Sequence, residues 1–429
     1  MSSDPAHESK VLIRYHELSA DAQPATGAMP GKAAKRIVQL TLNKPKALNA
    51  LDLDMVNTLL DAFATIESDD GILAVLLDSA GDKAFCAGGD IVSMYEAMKH
   101  CALNTASKEN RSSESDLSSS DLLPMNATLT APQFLRDFFS QEYRLDYLIH
   151  TFSKPVIVWG NSIIMGGGLG LYAGSHIKIL TPSARIAMPE ITIGLFPDVG
   201  GSYFLNRFPA GLGLFLGLTA ASINAADASL IGFADAVFAH EDKAAFINKL
   251  CAQQDFSKDA IKAFTHQQSA EKELELKPAN LAALLPSIAR LDGSSSLSQA
   301  VKTLYELVEA DTDLPQQSYL KKAMAAYENG SAITAHLVFE QLKRAQSMSL
   351  AQCFQMELNI ALTCGAYGEF EEGVRALLID KDNQPQWHFE SIDHVPDALI
   401  DAHFTAVLLR DYTPQNGSHP LSDLGATNG

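Results

Sequence analysis

The chain of 429 residues is long enough for two domains, or for one large core with an appended region. Hydrophobic residues at 47% and charged residues at 19% are the balance of an ordinary globular protein, which excludes collagen, coiled coil and wholesale disorder. With 51 acidic residues against 32 basic ones the formal charge is −19, which disfavours contact with a phosphate backbone, so no nucleic-acid partner is expected.

Residues 1–10 are polar and acidic without an apolar signal core, and read as a flexible N-terminus. Strand-like composition at 11–15 and 36–42, separated by a Gly/Pro/Ala-rich loop at 24–32, predicts a hairpin. Residues 52–66 place Met55, Leu59, Leu60, Phe63 and Ile66 at helical spacing, and 72–77 is an apolar run that suits a buried strand. A helix is expected after Asp90, ending near residue 100. The segment 107–120, dominated by Ser with Glu and Asp, has no apolar face and reads as a mobile part of an insertion near 104–130. A helix at 134–150, a strand at 155–159, a Gly-rich turn into a helix at 165–172 and a strand at 177–180 follow. This alternation, continuing to about residue 238, predicts a layered α/β core over 11–241. Helix formers dominate from 242, so 242–411 is expected to be a mainly helical C-terminal region, and 412–429, rich in Pro, Asn, Gly and Ser, a flexible tail.

No apolar run reaches the ~18 residues of a membrane span, so no membrane partner is expected. Five scattered cysteines, Cys86, Cys101, Cys251, Cys353 and Cys364, with no C-x-x-C pair, argue against a disulfide framework and a zinc site. No metal is implied, and a reducing cytoplasm is the expected location.

G-x-S-x-G, G-x-x-x-x-G-K-[ST] and H-E-x-x-H are all absent, which removes the main support for serine-hydrolase, P-loop and zincin chemistry. The run Gly166-Gly167-Gly168-Leu169-Gly170-Leu171-Tyr172-Ala173 contains G-x-G-x-x-A, with Glu190 twenty residues beyond Gly170. That pattern leaves an NAD-dependent dehydrogenase as a remote alternative, weakened by the five residues that separate Gly160 from the glycines. Such a segment entering a helix also lets backbone N–H groups approach an anionic oxygen. Cys86-Ala87-Gly88-Gly89-Asp90 is a second candidate of the same kind. Two donors from separate strand-to-helix junctions are what an oxyanion hole for a thioester requires. Two tight turns, with Asp90 as an N-cap, are the structural alternative. A third segment, 188–201, embeds Glu190 and Asp198 in apolar, Pro- and Gly-rich surroundings, where a carboxyl resists ionisation and suits a general base or nucleophile near neutral pH. Helix capping or solvent exposure of the two acids is the alternative there.

Together Ala84-Phe85-Cys86-Ala87-Gly88-Gly89-Asp90-Ile91, Met165-Gly166-Gly167-Gly168 and Met188-Pro189-Glu190 through Gly201 resemble the crotonase superfamily of coenzyme A thioester enzymes. Within it the chain is most similar to the 3-hydroxyisobutyryl-coenzyme A hydrolases. Thr41 to Pro45, Ala47-Leu48-Asn49-Ala50-Leu51 and Glu371 through Asp382 extend the likeness over most of the chain. The resemblance implies an α/β fold, the crotonase-like spiral of strand-strand-helix units with a mainly helical C-terminal region. It also implies hydrolysis of a short 3-hydroxyacyl-coenzyme A thioester, as in valine breakdown. Gly89 and Gly167 match the positions whose N–H groups form the oxyanion hole, Glu190 and Asp198 match the catalytic acidic pair, and Glu142 matches a substrate-contacting glutamate. The hydratases of the superfamily carry a catalytic glutamate where this chain has Gly170, and tend to have glycine where it has Asp198. This double departure favours hydrolysis, with an enoyl-coenzyme A hydratase or isomerase as the nearer alternative; Glu190 and Asp198 argue against a noncatalytic acyl-coenzyme A binder. Asn161 stands where the animal hydrolases usually have His. The implied partner is the acyl-coenzyme A substrate, coenzyme A being part of it and no separate cofactor being needed, and the superfamily's trimers leave a homo-oligomer open.

Overall fold

The structure, a computed structural model, describes residues 9–19, 34–99, 131–309, 316–405 and 419–426. The Ser-rich insertion, the loop at 24–32, nearly all of the N-terminal ten residues and most of the tail lie outside the described residues. The chain forms two compact units that interleave along the sequence, residues 1–89, 148–186 and 224–279 in the first and 90–147, 187–223 and 280–429 in the second.

The first unit is built on a six-stranded sheet in the order Val11–Glu17, Arg36–Leu42, Ile72–Ser79, Val156–Gly160, Ile177–Leu180 and Ala236–Val237. The first two strands pair antiparallel, with Tyr15 opposite Val38, as the hairpin expectation requires. All later pairs are parallel, with Leu40 beside Leu77, Val75 beside Val156 and Gly160 beside Leu180. Strands covered on both faces read as continuous apolar runs, which is why Ile72–Ser79 and Val156–Gly160 are legible. The first of these outlasts its apolar pattern because Asp78, 1% exposed, is satisfied from three sides. Gln39 Nε2 at 2.9 Å, Thr41 Oγ1 at 2.6 Å and Lys243 Nζ at 2.6 Å all donate to its carboxylate.

Helix Leu53–Ser68 starts where the Asp52 side chain accepts from the Met55 amide, and it buries Met55, Val56, Leu59, Ala62, Phe63 and Ile66. Helices Lys243–Leu250 and Lys258–Ala270 resemble in composition the helices that follow them, yet they belong to the sheet unit. Phe246, Ile247, Leu250 and Ile261 share one core with Leu76, Ile157, Trp159 and Ile179.

The second unit is mainly helical. Helix Ala332–Ala345 is capped by Ser331, and helix Leu350–Tyr367 opens with a capping box made by Ser349 and Gln352. Around them the short turn Glu190–Ile193 is wedged against helix Glu369–Val374. Gly194 has a φ of +67°, and a Cβ there would lie 2.4 Å from the Glu369 carbonyl oxygen, while a Cβ on Gly373 would lie 2.4 Å from the Ile193 carbonyl carbon. Backbone contact this close leaves the turn little freedom, and Ser331 N–H tightens it further by donating to the Ile191 carbonyl at 3.0 Å.

Candidate active site

In the first unit the two glycine segments abut. Strand Ala84–Cys86 pairs in parallel with Ile163–Met165, so the turns that leave them are neighbours. Gly88 has a φ of +118°, and a Cβ there would sit 3.6 Å from the Met165 carbonyl and 3.9 Å from the Gly167 nitrogen. A Cβ on Gly168 would come within 2.4 Å of the Cys86 carbonyl oxygen, so glycine is obligatory at this crossing. The Gly88–Gly89 turn is braced from Leu48 to Leu51. Ala87 N–H donates to Leu48 O at 3.1 Å, and Leu51 N–H to Gly88 O at 2.8 Å. Asn49, 1% exposed, locks the brace by donating to the carbonyls of Ala80 and Ala84 and accepting from Lys44 N–H. Gly167 is the first residue of helix Gly167–Gly174, where a backbone N–H has no intrahelical acceptor. Gly89 and Gly167 are thus brought to adjoining turns, the arrangement expected of paired oxyanion donors. Gly170 lies inside the same helix, its N–H bonded to Gly166 O at 3.2 Å. Asn161 accepts from Thr181 and Ser183 and donates to the Asp82 carbonyl.

In the second unit Glu190 opens the turn Glu190–Ile193 at 3% exposure, and its Oε2 has no hydrogen-bond partner. Burial first, and the nearby Asp198 second, push its pKa well above the usual carboxyl range. Asp198, 4% exposed, accepts from the Tyr143 hydroxyl at 2.8 Å. Burial raises the Asp198 carboxyl to about 7, against the lowering effect of that hydrogen bond. The chain then turns through Val199 at φ +51° and Gly200 at φ +85°. Glu357, fully buried in helix Leu350–Tyr367, receives the amides of Gly200 at 2.8 Å and Ser202 at 2.9 Å. Its own pKa is pushed up to about 8, chiefly by burial. Glu142, on helix Gln133–Thr151, is 2% exposed with Oε1 unpartnered, so it is no solvated helix acid; burial and then Asp198 raise its pKa strongly.

Three members of this cluster carry no sequence motif. Asp146 follows Glu142 by one helical turn and is fully buried, with neither carboxyl oxygen partnered. Its pKa is raised strongly by burial, then by Glu142, Asp198 and Glu357. Glu357 stands amid Met356, Leu358, Ile360 and Ala361, the same apolar company that singles out Glu190 and Asp198. Tyr143, adjacent to Glu142, is legible only once Asp198 is known to lie against it. Among the described residues no ion pair involves Glu142, Asp146, Glu190, Asp198 or Glu357, and no group of His, Cys, Asp and Glu is arranged to hold a metal.

Such burial has a measurable consequence. Unfolded, Asp146 would ionise near ~3.9, whereas folded it keeps its proton to far higher pH. Its contribution to stability is therefore complete below the unfolded value and is lost as pH rises toward the folded one. Asp146→Asn is expected to raise the melting temperature by several degrees at pH 8 and by much less at pH 4.5. Equal changes at both values would mean that the carboxyl titrates alike folded and unfolded.

Comparison with known proteins decides the family: residues 37–404 match the model of the enoyl-CoA hydratase/isomerase family. The chain belongs to that family. It is 33% identical over 372 residues to the mitochondrial 3-hydroxyisobutyryl-CoA hydrolase of Xenopus tropicalis, covering 86% of each chain. It is 34% identical over 403 residues to that of Danio rerio, covering 93% of this chain and 95% of the relative. A crystal structure of a carnitinyl-CoA dehydratase from Mycobacterium thermoresistibile matches at a TM-score of 0.69 and 28% identity, over 93% of this chain and 97% of the other. The α/β architecture expected from sequence is therefore that of the crotonase fold with a helical C-terminal region. The same relatives correct the cytoplasmic expectation, since their names place them in mitochondria. The described cysteines, Cys86, Cys251, Cys353 and Cys364, are buried and form no disulfide, but unbridged thiols distinguish reducing from oxidising surroundings, not one reducing compartment from another. Among the described residues no helix is long and apolar enough to cross a membrane.

Proposed function

We propose that the protein hydrolyses a short 3-hydroxyacyl-coenzyme A thioester, foremost 3-hydroxyisobutyryl-coenzyme A, to the free hydroxy acid and coenzyme A, a step of valine breakdown. The observation that carries the reading is the buried pair Glu190 and Asp198, without a cation on either, in a chain that has Gly170 where hydratases place their second glutamate. The N–H groups of Gly89 and Gly167 receive the thioester oxygen as it gains charge. Glu190 either attacks the carbonyl carbon, giving a mixed anhydride that water then opens, or removes a proton from the attacking water. In both routes the C–S bond breaks and the leaving sulfur ends as the free thiol of coenzyme A. Asp198 orients the water or the acyl hydroxyl and tunes Glu190 through the shared field. Glu142, with an unpartnered buried oxygen, is suited to accept a hydrogen bond from the acyl hydroxyl.

Hydration of a double bond needs proton handlers at two positions, whereas thioester cleavage needs one base and a stabilised oxyanion. Thiol release from a 3-hydroxyacyl-coenzyme A is expected to outrun loss of enoyl absorbance from crotonyl-coenzyme A by at least ~10², the contribution of one positioned proton-transfer group. Parallel assays of the two signals across a panel of short acyl esters check this. Faster hydration would assign the chain to the hydratases.

A further inference from the structure

Five carboxyls, those of Glu142, Asp146, Glu190, Asp198 and Glu357, are buried in the second unit, and mutual repulsion in a low-dielectric interior means they cannot all ionise together. Which of them holds negative charge decides what the cluster can do, and the hydrogen bonds distinguish them. Glu142 Oε1, Glu190 Oε2 and both Asp146 oxygens have no donor. Glu357 has two, the amides of Gly200 and Ser202, and both its oxygens are spent on anchoring the turn after Asp198. Asp198 receives the Tyr143 hydroxyl, 2.8 Å from Oδ2, a side-chain donor that reaches it from helix Gln133–Thr151.

We propose that Tyr143 is a positioning residue that fixes negative charge on Asp198 rather than on its four carboxyl neighbours, by holding Oδ2 with its hydroxyl. Tyr143 is fully buried between Phe139, ring centroids 5.7 Å apart, and Phe354, 5.8 Å apart. The aromatic ring is thereby held in place by packing, and the hydroxyl is its single polar commitment. A donor to a carboxylate stabilises the charged form, and a phenol that remains protonated can only donate. Burial and the surrounding carboxyls keep Tyr143 protonated far above neutral pH. The groups that face Asp198 are Glu142, Tyr143 and Asp146 on helix Gln133–Thr151, Glu190 on the turn Glu190–Ile193, and Glu357 and Cys364 on helix Leu350–Tyr367. The other five carry negative charge when ionised and oppose it on Asp198, whereas Tyr143 donates a hydrogen bond to it and favours it.

As a role within thioester hydrolysis this rests on the proposed function, and the test separates the two. Tyr143→Phe removes the hydroxyl and keeps the ring. Loss of a hydrogen bond to a charged group is expected to move the Asp198 titration up by about one to two pH units, to or past Glu357 at about 8. The midpoint is read in the free protein by carbon-13 NMR of labelled aspartate carboxyls, with the Asp198 signal identified from Asp198→Asn. The acidic limb of kcat for thiol release should shift by the same amount, with little change in melting temperature. An Asp198 midpoint that stays put overturns the proposal, whatever happens to kcat, because a packing role alone leaves the titration unmoved. If the midpoint moves while the unsubstituted protein releases no thiol from any acyl ester, the assignment of Tyr143 stands and the hydrolase reading falls.

Discussion

Glu190→Gln is expected to lower turnover in thioester hydrolysis by at least ~10², the usual contribution of a positioned base, and more if the carboxylate is the nucleophile. The substitution is unusually clean. Glutamine is near-isosteric with the buried Glu190 side chain and carries no charge, so it preserves the shape of the pocket while removing the carboxylate that the reaction needs. The turn that carries it is held by backbone contacts at Gly194 and Gly373 and by the Ser331 amide, none of which involves the Glu190 side chain. Thermal stability and coenzyme A affinity should therefore persist while chemistry fails. Rates of free-thiol release at saturating substrate, with binding followed in parallel, check this. Near-normal turnover would remove Glu190 from the mechanism and leave Asp198, with its carboxyl near 7, as the base.

The sheet strands are legible because burial on both faces leaves continuous apolar runs, as in Val156–Gly160 and the first six residues of Ile72–Ser79. What the pattern does not carry is which neighbour an apolar face will meet. Helices Lys243–Leu250 and Lys258–Ala270 show ordinary amphipathic composition, and only the structure shows Phe246 and Ile261 packed with Trp159 and its neighbours in the sheet core. The site divides in a similar way. Glu190 and Asp198 stand out because acids seldom occur among Pro, Gly and Ile, and Glu357 satisfies the same test within helix Leu350–Tyr367. Asp146 does not, since Arg144 and Tyr147 beside it suggest a polar helix face, and its burial follows from tertiary packing. Asn49 belongs to a recognisable motif, but its work is indirect: three hydrogen bonds to backbone groups shape the turn that presents Gly89.

Gly167→Pro should cost about 10² to 10³ in turnover, the typical loss for one oxyanion donor. The helix makes this variant informative where a neighbouring one would not be. Gly167 occupies the first helical position, where proline is well tolerated because its missing N–H is one the helix does not use. The hydrogen bonds that close the first turn run from Leu169 and Gly170 to the Gly166 carbonyl and do not include the Gly167 amide. One residue later the outcome would be steric, because any side chain on Gly168 meets the Cys86 carbonyl at 2.4 Å. Proline at 167 thus removes a single donor from a turn whose position is set by its neighbours. Circular dichroism and the melting temperature establish that the fold persists, and coenzyme A affinity should be retained because the donor acts on charge that develops only as the carbonyl is attacked. The deficit should then fall on kcat, with little change in KM. A folded variant with unchanged kcat would exclude the Gly167 amide from the oxyanion hole and leave the Gly88–Gly89 turn as the remaining source of donors.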